Sequence, residues 1–287
     1  ESDWTKMPVN ERCVHLHRLA DEVEKRNAVI AQIESLDCGK IYEQALADVE
    51  NFIETHRYFA ELAQNLDLRT VIAVKGHEAA VVRHPWGPCG FIIPWNFPFL
   101  LCGWGIAPAT AAGNTCVVKP AEDTPLSTLF VAHLAKEIGY PDGVLNVITG
   151  IGEQTGAALS ENPNLRRMSF TGSPEVGRLV ARNCGGNLIP VKLELGGKGA
   201  AVIFDDVDID DAAEKLVGAI TFHTGQVCCD ATRWLIQKNI YDDFINAATE
   251  RLRAVNIGHQ MDEDAQMGPV VSETQRKRVL GYLKKGV

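Results

Sequence analysis

The chain has 287 residues, 46 % of them hydrophobic and 23 % charged, which excludes a disordered polypeptide and allows one large or two ordinary domains. With 28 basic and 37 acidic side chains the net charge is −9, so we expect no nucleic-acid partner. No apolar run reaches membrane-spanning length, and the opening ESDWTKMPVN resembles neither a signal nor a transit peptide, so we expect no membrane partner.

Eight cysteines are scattered along the chain, and no two of them have CxxC spacing. This distribution predicts neither a zinc site nor a disulfide framework, and no metal centre is expected. Reduced thiols are typical of the cytoplasm, which is therefore the expected location.

The first part of the chain is predicted to contain two helices and a hairpin. A helix over residues 10–36 is indicated by Asn10 as its N-cap and by apolar residues that recur on one face. The same period predicts a second helix over residues 45–66. Strand-like alternation follows in RTVIAV and EAAVVRH, which the sequence KGH joins, so we expect a β-hairpin within residues 68–85.

From residue 90 onward, predicted strands and helices alternate. Short apolar strands (FII, CVV, VLNVIT and RRMSF) are each followed by a helical segment. One helix is predicted to begin with Thr124 as N-cap and Pro125 at its first position and to end at Gly139, and another to open at Ser173. This alternation predicts an α/β fold with a doubly wound, Rossmann-like parallel sheet.

A second α/β unit begins after the sequence LELGGK. Its predicted strands AVIF and RWLIQ alternate with helices over residues 208–223 and 240–255, and a final helix is expected over residues 271–285. This unit is too short to close a sheet of its own. We therefore divide the chain into a nucleotide-binding domain (1–195) and an incomplete α/β domain (196–287).

Two motifs follow predicted strands, at the edge where parallel sheets bind ligands. GIGEQTG (150–156) opens a helix, so its backbone N–H groups could meet a pyrophosphate, although a tight turn explains the same glycines. VVKPAED (117–123) contains Lys119 and Glu122, and this carboxylate could accept both hydrogens of an adenosine ribose diol. A surface Lys and Glu are the simpler explanation when that motif is taken alone.

Two polar residues are candidates for catalysis. Asn96 in PWNFP lies between prolines that fix the backbone, and a rigid amide is a good donor to an oxyanion, although a structural loop Asn is the alternative. Glu194 in LELGGK is flanked by leucines, so we expect it to be partly buried, with a raised pKa that suits a general base. A solvent-facing glutamate on an alternating strand explains that sequence equally well.

Cys228 and Cys229 in FHTGQVCCDATR are candidate nucleophiles. Because neighbouring residues of an extended backbone point in opposite directions, we expect one thiol to be reactive and the other to be packed. For either cysteine alone, a small buried hydrophobic residue is the stronger interpretation. A thiol that attacks a carbonyl carbon, paired with a carboxylate that activates water, would support acylation followed by hydrolysis.

The motifs PWNFP, VVKPAED, GIGEQTG, FTGSPEVG, LELGGK and GQVCC, in this order, resemble the NAD(P)-dependent aldehyde dehydrogenase superfamily. The resemblance implies oxidation of an aldehyde to a carboxylic acid, with residues 1–195 as the NAD-binding domain and 196–287 as part of the catalytic domain. It places the hairpin 68–85 in the oligomerisation region and implies a homo-oligomer at full length. It also implies that the chain is a fragment, without the N-terminal edge and the C-terminal part of the family.

The resemblance gives each candidate residue a role. Cys228 would form a thiohemiacetal and then a thioester, Asn96 and the backbone N–H of Cys228 would hold the oxyanion, and Glu194 would activate water. Glu122 would repel a 2′-phosphate, so NAD is expected rather than NADP. The implied cofactor-binding residues are Ile92, Pro94, Trp95, Lys119, Glu122, Gly152, Phe170, Ser173, Val176, Leu195 and Gly196.

Two residues depart from the family pattern. Gly105 stands where the family very often carries a lysine that relays protons from the base, so Glu194 is expected to be less well connected to solvent. Asp230 stands two residues after Cys228, where small neutral residues are common, and its charge is expected to raise the pKa of the thiol.

Three other functions stay open at this point. A relative that passes the thioester to coenzyme A is one, although such enzymes generally lack the glutamate base. A non-catalytic nucleotide-binding remnant and an NAD-independent thiol esterase are the others. The identity of the aldehyde is not readable from these residues.

Overall fold

The structure is a computed structural model that describes residues 3–286; the outer ends of the two predicted domains, residues 1–2 and 287, lie outside it. The helices in this range are α1 (Asp3–Lys6), α2 (Val9–Lys25), α3 (Asn27–Cys38), α4 (Tyr42–Gln64), α5 (Pro98–Ala111), α6 (Leu126–Glu137), α7 (Ala157–Glu161), α8 (Pro174–Gly186), α9 (Ile209–Thr221), α10 (Tyr241–Ala254) and α11 (Glu273–Leu283). The strands are β1 (Arg69–Val74), β2 (His77–Val82), β3 (Pro88–Ile92), β4 (Thr115–Lys119), β5 (Leu145–Val147), β6 (Arg167–Gly172), β7 (Val191–Leu195), β8 (Ala200–Ile203) and β9 (Arg233–Ile236).

The N-terminal helical region contains a break that the sequence pattern does not reveal. The prediction of one helix over residues 10–36 is wrong, because the backbone leaves the helical conformation at Arg26 (φ −112°, ψ 14°) between α2 and α3. The helix α2 packs mainly on α4 and α5, and α3 packs mainly on α4 and α6, so they need different directions. Asn10 lies inside α2, which begins at Val9, and so is not the N-cap.

The predicted hairpin is confirmed. The strands β1 and β2 pair in antiparallel register from Arg69 opposite Val82 to Val74 opposite His77. Gly76 in the connecting turn has a φ of +81°, a conformation that glycine adopts without steric cost.

A five-stranded parallel sheet with the order β5-β4-β3-β6-β7 forms the centre of the fold. The chain moves outward from β3 to β5 and then returns to β6 on the other side of β3. This is the strand order of a doubly wound sheet, and the α/β prediction is confirmed. In such sheets, ligands bind outside the carboxyl ends of the strands, near the point where the strand order reverses.

Helices cover both faces of this sheet. On one face, α5 packs on β3 and β4 and α6 packs on β5, and α2 and α4 pack on α5 in a core that includes Leu16, Phe52 and Phe99. On the other face, α7 and α8 pack on β6, with Met168 and Val180 in the core. Burial on both faces explains why the strands are short continuous apolar runs. Over residues 3–286, no helix combines the length and the apolar character needed to cross a membrane.

The ends of two sheet-covering helices test the predicted caps. The predicted N-cap at Thr124 is wrong: α6 begins at Leu126, and its backbone N–H is accepted by Asp37 Oδ2 of α3 at 2.9 Å. The predicted end at Gly139 is confirmed by its left-handed backbone (φ +87°). Ser173 Oγ accepts the backbone N–H of Val176 at 3.2 Å, so the predicted opening of α8 is confirmed as well.

The residues after β7 form a smaller unit with its own core. The strands β8 and β9 pair in parallel, and α9 and α10 pack on them through Val217, Phe244 and Ala248. A loop beyond α10 returns to the first unit, where the Tyr42 N–H donates to the Gln260 carbonyl at 3.0 Å. The division of the chain after Leu195 stays a prediction.

Candidate active site

The predicted motifs meet at one edge of the parallel sheet. PWNFP follows β3, Glu122 follows β4, Gly152 follows β5, Ser173 follows β6 and Gly196 follows β7. Because parallel strands end on the same side of a sheet, these residues lie along a single edge. The structure therefore gathers residues that are far apart in the sequence.

Lys119, Glu122 and Gly152 form a hydrogen-bonded group at this edge. Lys119 Nζ donates to Glu122 Oε2 at 2.8 Å, and the Gly152 N–H donates to Glu122 Oε1 at 3.4 Å. The Lys119 side chain is buried, whereas that of Glu122 is 45 % exposed. Burial acts to raise the pKa of Glu122, but the hydrogen bonds from Lys119 and Gly152 outweigh it and the pKa is lowered. An ionised acceptor therefore faces solvent here.

The glycine-rich motif forms a wide turn beside this group. Residues Gly152–Gly156 make one π-helical turn that leads into α7. Gly150 has a φ of +141°, and a Cβ there would lie 2.0 Å from Thr155 Oγ1, so only glycine fits. A cavity of about 430 Å³ opens against this turn, lined by Val117, Ile148, Gln154, Thr155, Ala158, Leu159, Asn162 and Leu165.

Four further cofactor candidates lie around the start of α8. Ser173 caps the helix, and Val176 in its first turn is exposed, so the positive end of the helix dipole opens onto the edge. Phe170 is buried beneath them in β6. A Cβ on Gly177 would lie 2.6 Å from Leu195 Cδ2, which shows how closely α8 packs on β7.

The remaining cofactor candidates are backbone and packing positions. Ile92 is the last residue of β3, Pro94 and Trp95 are half-buried after it, and Gly196 is exposed after β7. A Cβ on Gly156 would lie 3.9 Å from both the Ile92 side chain and the Lys119 stem, so β3 and β4 form the floor under the turn.

Asn96 connects the loop after β3 to the loop that carries the thiol. Its side chain is buried, and Nδ2 donates to the Gln226 carbonyl at 2.8 Å. An amide nitrogen has two N–H groups, so one remains for a second acceptor. Only Val227 separates Gln226 from Cys228, so the bond places a rigid amide against the loop that carries the candidate nucleophile.

The turn that precedes the thiol is strained. His223 (φ 44°, ψ 40°) and Thr224 (φ 58°, ψ 33°) are consecutive left-handed residues with side chains. Each costs roughly 1–2 kcal/mol relative to a right-handed backbone. The turn is held from two sides, since the His223 N–H donates to Gln44 Oε1 at 3.0 Å and Thr224 Oγ1 donates to the Gly268 carbonyl at 2.9 Å.

Gln226 is a site residue that the sequence reasoning used only as a landmark. Its side chain is buried, Nε2 donates to the His223 carbonyl at 3.1 Å, and Oε1 accepts the Val271 N–H at 3.1 Å. With the bond from Asn96 to its carbonyl, it joins three segments of the chain. The position of Gln226, two residues before Cys228 in GQVCC, was the available sequence signal. Its hydrogen-bonding partners, Asn96 and Val271, are visible only in the fold.

Cys228 and Cys229 are both exposed, so the expectation that one of them is packed is wrong. The loop after the strained turn is not an extended strand, and alternation does not apply to it. Partial burial of the sulfur raises the pKa of Cys228, and the Cys229 side chain and the Glu194 charge add to the increase. Asp230, whose charge was expected to raise the pKa of the thiol, is not among the groups that raise it. It is buried, burial raises its own pKa, and Lys198 opposes that rise.

Replacing Cys229 with alanine is expected to move the alkylation profile of Cys228 to lower pH. The thiolate is the nucleophile, so removing a neighbour that raises the pKa of Cys228 makes more thiolate available at a given pH. The measurement is the rate of iodoacetamide labelling at Cys228 against pH, followed by peptide mass. Asp230→Ala is the matched control and should give the smaller shift; a larger shift in that variant would show that Asp230 is the main charge felt by the thiol.

The Glu194 side chain is more exposed than its flanking leucines predict. Its side chain is 56 % exposed and lies 3.2 Å from Lys192 Nζ, so the expectation of partial burial is wrong. The strand β7 is at the edge of the sheet, and its side chains alternate, which turns Lys192 and Glu194 to the open face. What connects Glu194 to the thiol is proximity, since its charge contributes to the raised pKa of Cys228.

Comparison with known proteins decides the family. The aldehyde dehydrogenase family model matches residues 1–287. The chain belongs to the aldehyde dehydrogenase family. A mitochondrial aldehyde dehydrogenase of Rattus norvegicus is 41 % identical over 99 % of this chain and 55 % of its own length. A cytosolic aldehyde dehydrogenase of Mus musculus is 39 % identical over 99 % of this chain and 57 % of its own length.

A solved member of the family has the same architecture. The betaine aldehyde dehydrogenase of Staphylococcus aureus, crystallised in complex with NAD+, matches with a TM-score of 0.96 at 36 % identity. The match covers 98 % of this chain and 56 % of that chain. The chain thus spans a little more than half the length of the relatives it matches.

Gly105, a departure from the aldehyde dehydrogenase pattern, has a packing explanation. A Cβ at this position of α5 would lie 2.8 Å from Phe91 Cδ1, closer than side chains approach. Phe91 is buried in β3 and cannot move aside cheaply. A lysine here would therefore require the core under the site to be repacked.

Proposed function

We propose that the protein oxidises an aldehyde to a carboxylic acid with NAD as cofactor, through covalent attachment to Cys228. The observation that carries the proposal is the hydrogen bond from Asn96 Nδ2 to the Gln226 carbonyl, which sets a donor amide beside the thiol loop. An exposed thiol, a rigid amide and a nearby carboxylate are the groups that acyl transfer through sulfur requires.

The chemistry follows from these three groups. The Cys228 thiolate attacks the carbonyl carbon, and the free N–H of Asn96 with the backbone N–H of Cys228 holds the oxygen that becomes negative. NAD, when bound, would supply the acceptor for the hydride that leaves this carbon. The carbon is then a thioester of Cys228. Glu194 takes a proton from water as the water oxygen attacks the thioester carbon. The bond from carbon to sulfur then breaks, the carboxylic acid is released, and the proton passes from Glu194 to the sulfur to restore the thiol.

The residues at the sheet edge fit the adenosine half of NAD. Glu122 is ionised and exposed, so it can accept hydrogen bonds from two ribose hydroxyls, and Lys119 can donate to the same ribose. The start of α8 at Ser173 offers backbone N–H groups to a pyrophosphate. The same carboxylate would repel a 2′-phosphate, which supports NAD over NADP.

Replacing Glu122 with glutamine is expected to weaken NAD binding roughly tenfold or more, because hydrogen bonds to a charged group are worth about 1.5–3 kcal/mol. The preference for NAD over NADP should shrink at the same time, since the repelling charge is gone. Calorimetric titration of the chain with each nucleotide measures both effects. Glu153→Gln, which makes the same change at an exposed position of the neighbouring Gly152–Gly156 turn, is the control; equal NAD affinity in the two variants would remove Glu122 from the site.

Glu194 bears on the alternative of an acylating enzyme that uses coenzyme A. Such relatives generally lack the glutamate, whereas here the carboxylate is near enough to Cys228 to influence its pKa. Hydrolysis of the thioester is therefore the reaction that the site supports better.

The cellular setting is part of the same proposal. The relatives include mitochondrial and cytosolic enzymes, and we propose a cytoplasmic location for this protein because its eight cysteines are unpaired.

The exposed apolar side chains of the hairpin, such as Val71 and Val82, support association of full-length copies through β1 and β2.

The direct test is NADH formation by the chain with NAD and a panel of short, long and aromatic aldehydes. Turnover with any of them supports the proposal and begins to define the substrate. Thermal stabilisation by NAD without turnover would favour a nucleotide-binding remnant. Ester hydrolysis that needs no NAD, again without NADH formation, would favour a thiol esterase.

A further inference from the structure

Three buried ionisable side chains lie together where α3 meets α4, outside the groups assigned above, and burial raises the pKa of Glu34 to about 7. Lys40 and Glu34 are fully buried and Asp48 is nearly so. Lys40 Nζ contacts Asp48 Oδ2 and lies 3.8 Å from Glu34 Oε1. Burial acts to lower the pKa of Lys40, but Asp48 and Glu34 outweigh it and the pKa is raised, so the ammonium keeps its charge.

This cluster contacts the segment that carries Asn96 at two points. Lys40 Nζ lies 4.0 Å from the centre of the Phe97 ring, a cation–π contact. Glu34 Oε1 accepts the Phe99 N–H at 3.3 Å, in the first turn of α5. Phe97 and Phe99, the first and third residues after Asn96, are therefore both held by this cluster.

The Phe97 ring also contacts the strained turn before the thiol. It lies parallel to the Phe222 ring (11°) with centroids 6.2 Å apart, and it meets the His223 ring edge-on at 5.4 Å. Burial and the Lys40 ammonium lower the pKa of His223 to about 2, so the imidazole is neutral and does not repel that ammonium. Phe97 thus lies between Lys40 and the turn that leads to Cys228.

A buried ion cluster is seldom the most stable way to fill a core, because apolar side chains of similar volume are often as good or better. Its cost points to a role beyond packing. We propose that Lys40 is a positioning residue: its ammonium fixes the Phe97 ring, and the ring fixes the Asn96 amide relative to the Cys228 turn. This inference rests on the proposed function, in which Asn96 holds the oxyanion.

The test follows acylation of Cys228 by p-nitrophenyl acetate, in which the acetyl group passes to Sγ and p-nitrophenolate leaves. Stopped-flow kinetics gives the rate of the p-nitrophenolate burst in the full chain. In Lys40→Met the burst is expected to slow at least about tenfold, because a displacement of about 1 Å in a catalytic group can cost about 10²-fold. The residual amplitude should still map to Cys228 by peptide mass.

Lys40→Met leaves two buried carboxyl groups without a cation. An effect on the stability of the fold must therefore be separated from an effect on the position of the Asn96 amide. The triple variant Glu34→Gln/Lys40→Met/Asp48→Asn removes all three charges and should recover the thermal midpoint but not the burst rate. Leu134→Ala, a buried residue of α6 in the same core, should lower the thermal midpoint and leave the burst rate close to that of the parent chain. Rates are compared at a temperature where every variant is folded.

Two results would overturn the inference: recovery of the burst rate together with the thermal midpoint in the triple variant, or an equal slowing in Leu134→Ala. A parent chain that is not acylated at Cys228 would overturn it too, because no positioned thiol would exist. Since the ester reaction needs no NAD, normal acylation with no NADH formation would defeat the proposed oxidation and leave the role of Lys40 intact.

Discussion

Alanine in place of Cys228 is expected to abolish NADH formation with every aldehyde that the parent chain oxidises. Removing a nucleophile that acts in concert with its oxyanion donors costs on the order of 10³-fold or more. Here the loss should appear in kcat/KM for every substrate, because each aldehyde must form the bond to sulfur before it can give up a hydride. NAD affinity should be unchanged, since the adenosine group at Lys119 and Glu122 is untouched. Initial rates of NADH absorbance and a calorimetric titration with NAD measure the two quantities.

The neighbouring cysteine provides a matched control for that experiment. Cys229 is equally exposed and carries the same functional group, yet only Cys228 stands two residues after the carbonyl that binds Asn96. Cys229→Ala should therefore retain turnover and show a higher rate at neutral pH, because it lowers the pKa of Cys228. Loss of turnover in Cys229→Ala with survival in Cys228→Ala would transfer the role of nucleophile to the second thiol.

Glutamine in place of Glu194 is expected to slow steady-state turnover roughly 10²–10⁴-fold, the usual contribution of a general base. The first turnover should survive, because acylation depends on the thiol and the oxyanion donors. A burst of NADH equal to the active sites should therefore appear, followed by a slow phase. The burst itself should be faster at neutral pH, since the Glu194 charge contributes to the raised pKa of Cys228. Mass spectrometry of the quenched chain should find the acyl group on Cys228.

Glu214→Gln provides the control for Glu194→Gln, because it makes the same change in charge at an exposed position of α9. It should leave both the burst and the slow phase as in the parent chain. If Glu194→Gln abolishes the burst as well, the carboxylate acts on the thiol before acylation, and its assignment to the hydrolysis of the thioester is wrong.

The parallel sheet was predictable because its strands bury both faces and so read as short apolar runs separated by helices. The same local signals located the glycine at the end of α6 and the serine at the start of α8. The break at Arg26 has no such signal, since neither proline nor glycine lies near it, and it exists because α2 and α3 pack on different neighbours. The cap of α6 was missed for a related reason: Asp37 supplies it from another helix.

The residues of the candidate site also divide into those that local motifs predict and those that only the fold reveals. Cys228, Asn96 and Glu122 were recognisable from local motifs, and the structure brings Asn96 to the thiol loop and Glu122 to Lys119. The exposure of Glu194 depends on α8 being the helix that packs on β7, so that the opposite face of this strand is open, which no local pattern encodes. The roles of Gln226 and Lys40 depend on partners from distant parts of the chain, so they became visible only with the fold.

The strained turn at His223 and Thr224 makes the reactivity of Cys228 depend on local unfolding. Because the left-handed conformation of His223 and Thr224 is unfavourable, we expect both residues to return to ordinary backbone angles when their contacts with Gln44 and Gly268 are released. Those contacts come from α4 and from the loop beyond α10, so a partial opening of either element relaxes the turn while the parallel sheet stays intact. Reactivity at Cys228 should therefore disappear earlier in a denaturant series than the sheet does. We therefore expect the thiol to be competent only in the fully assembled fold, and amide exchange at residues 223–226 would measure how often that assembly opens.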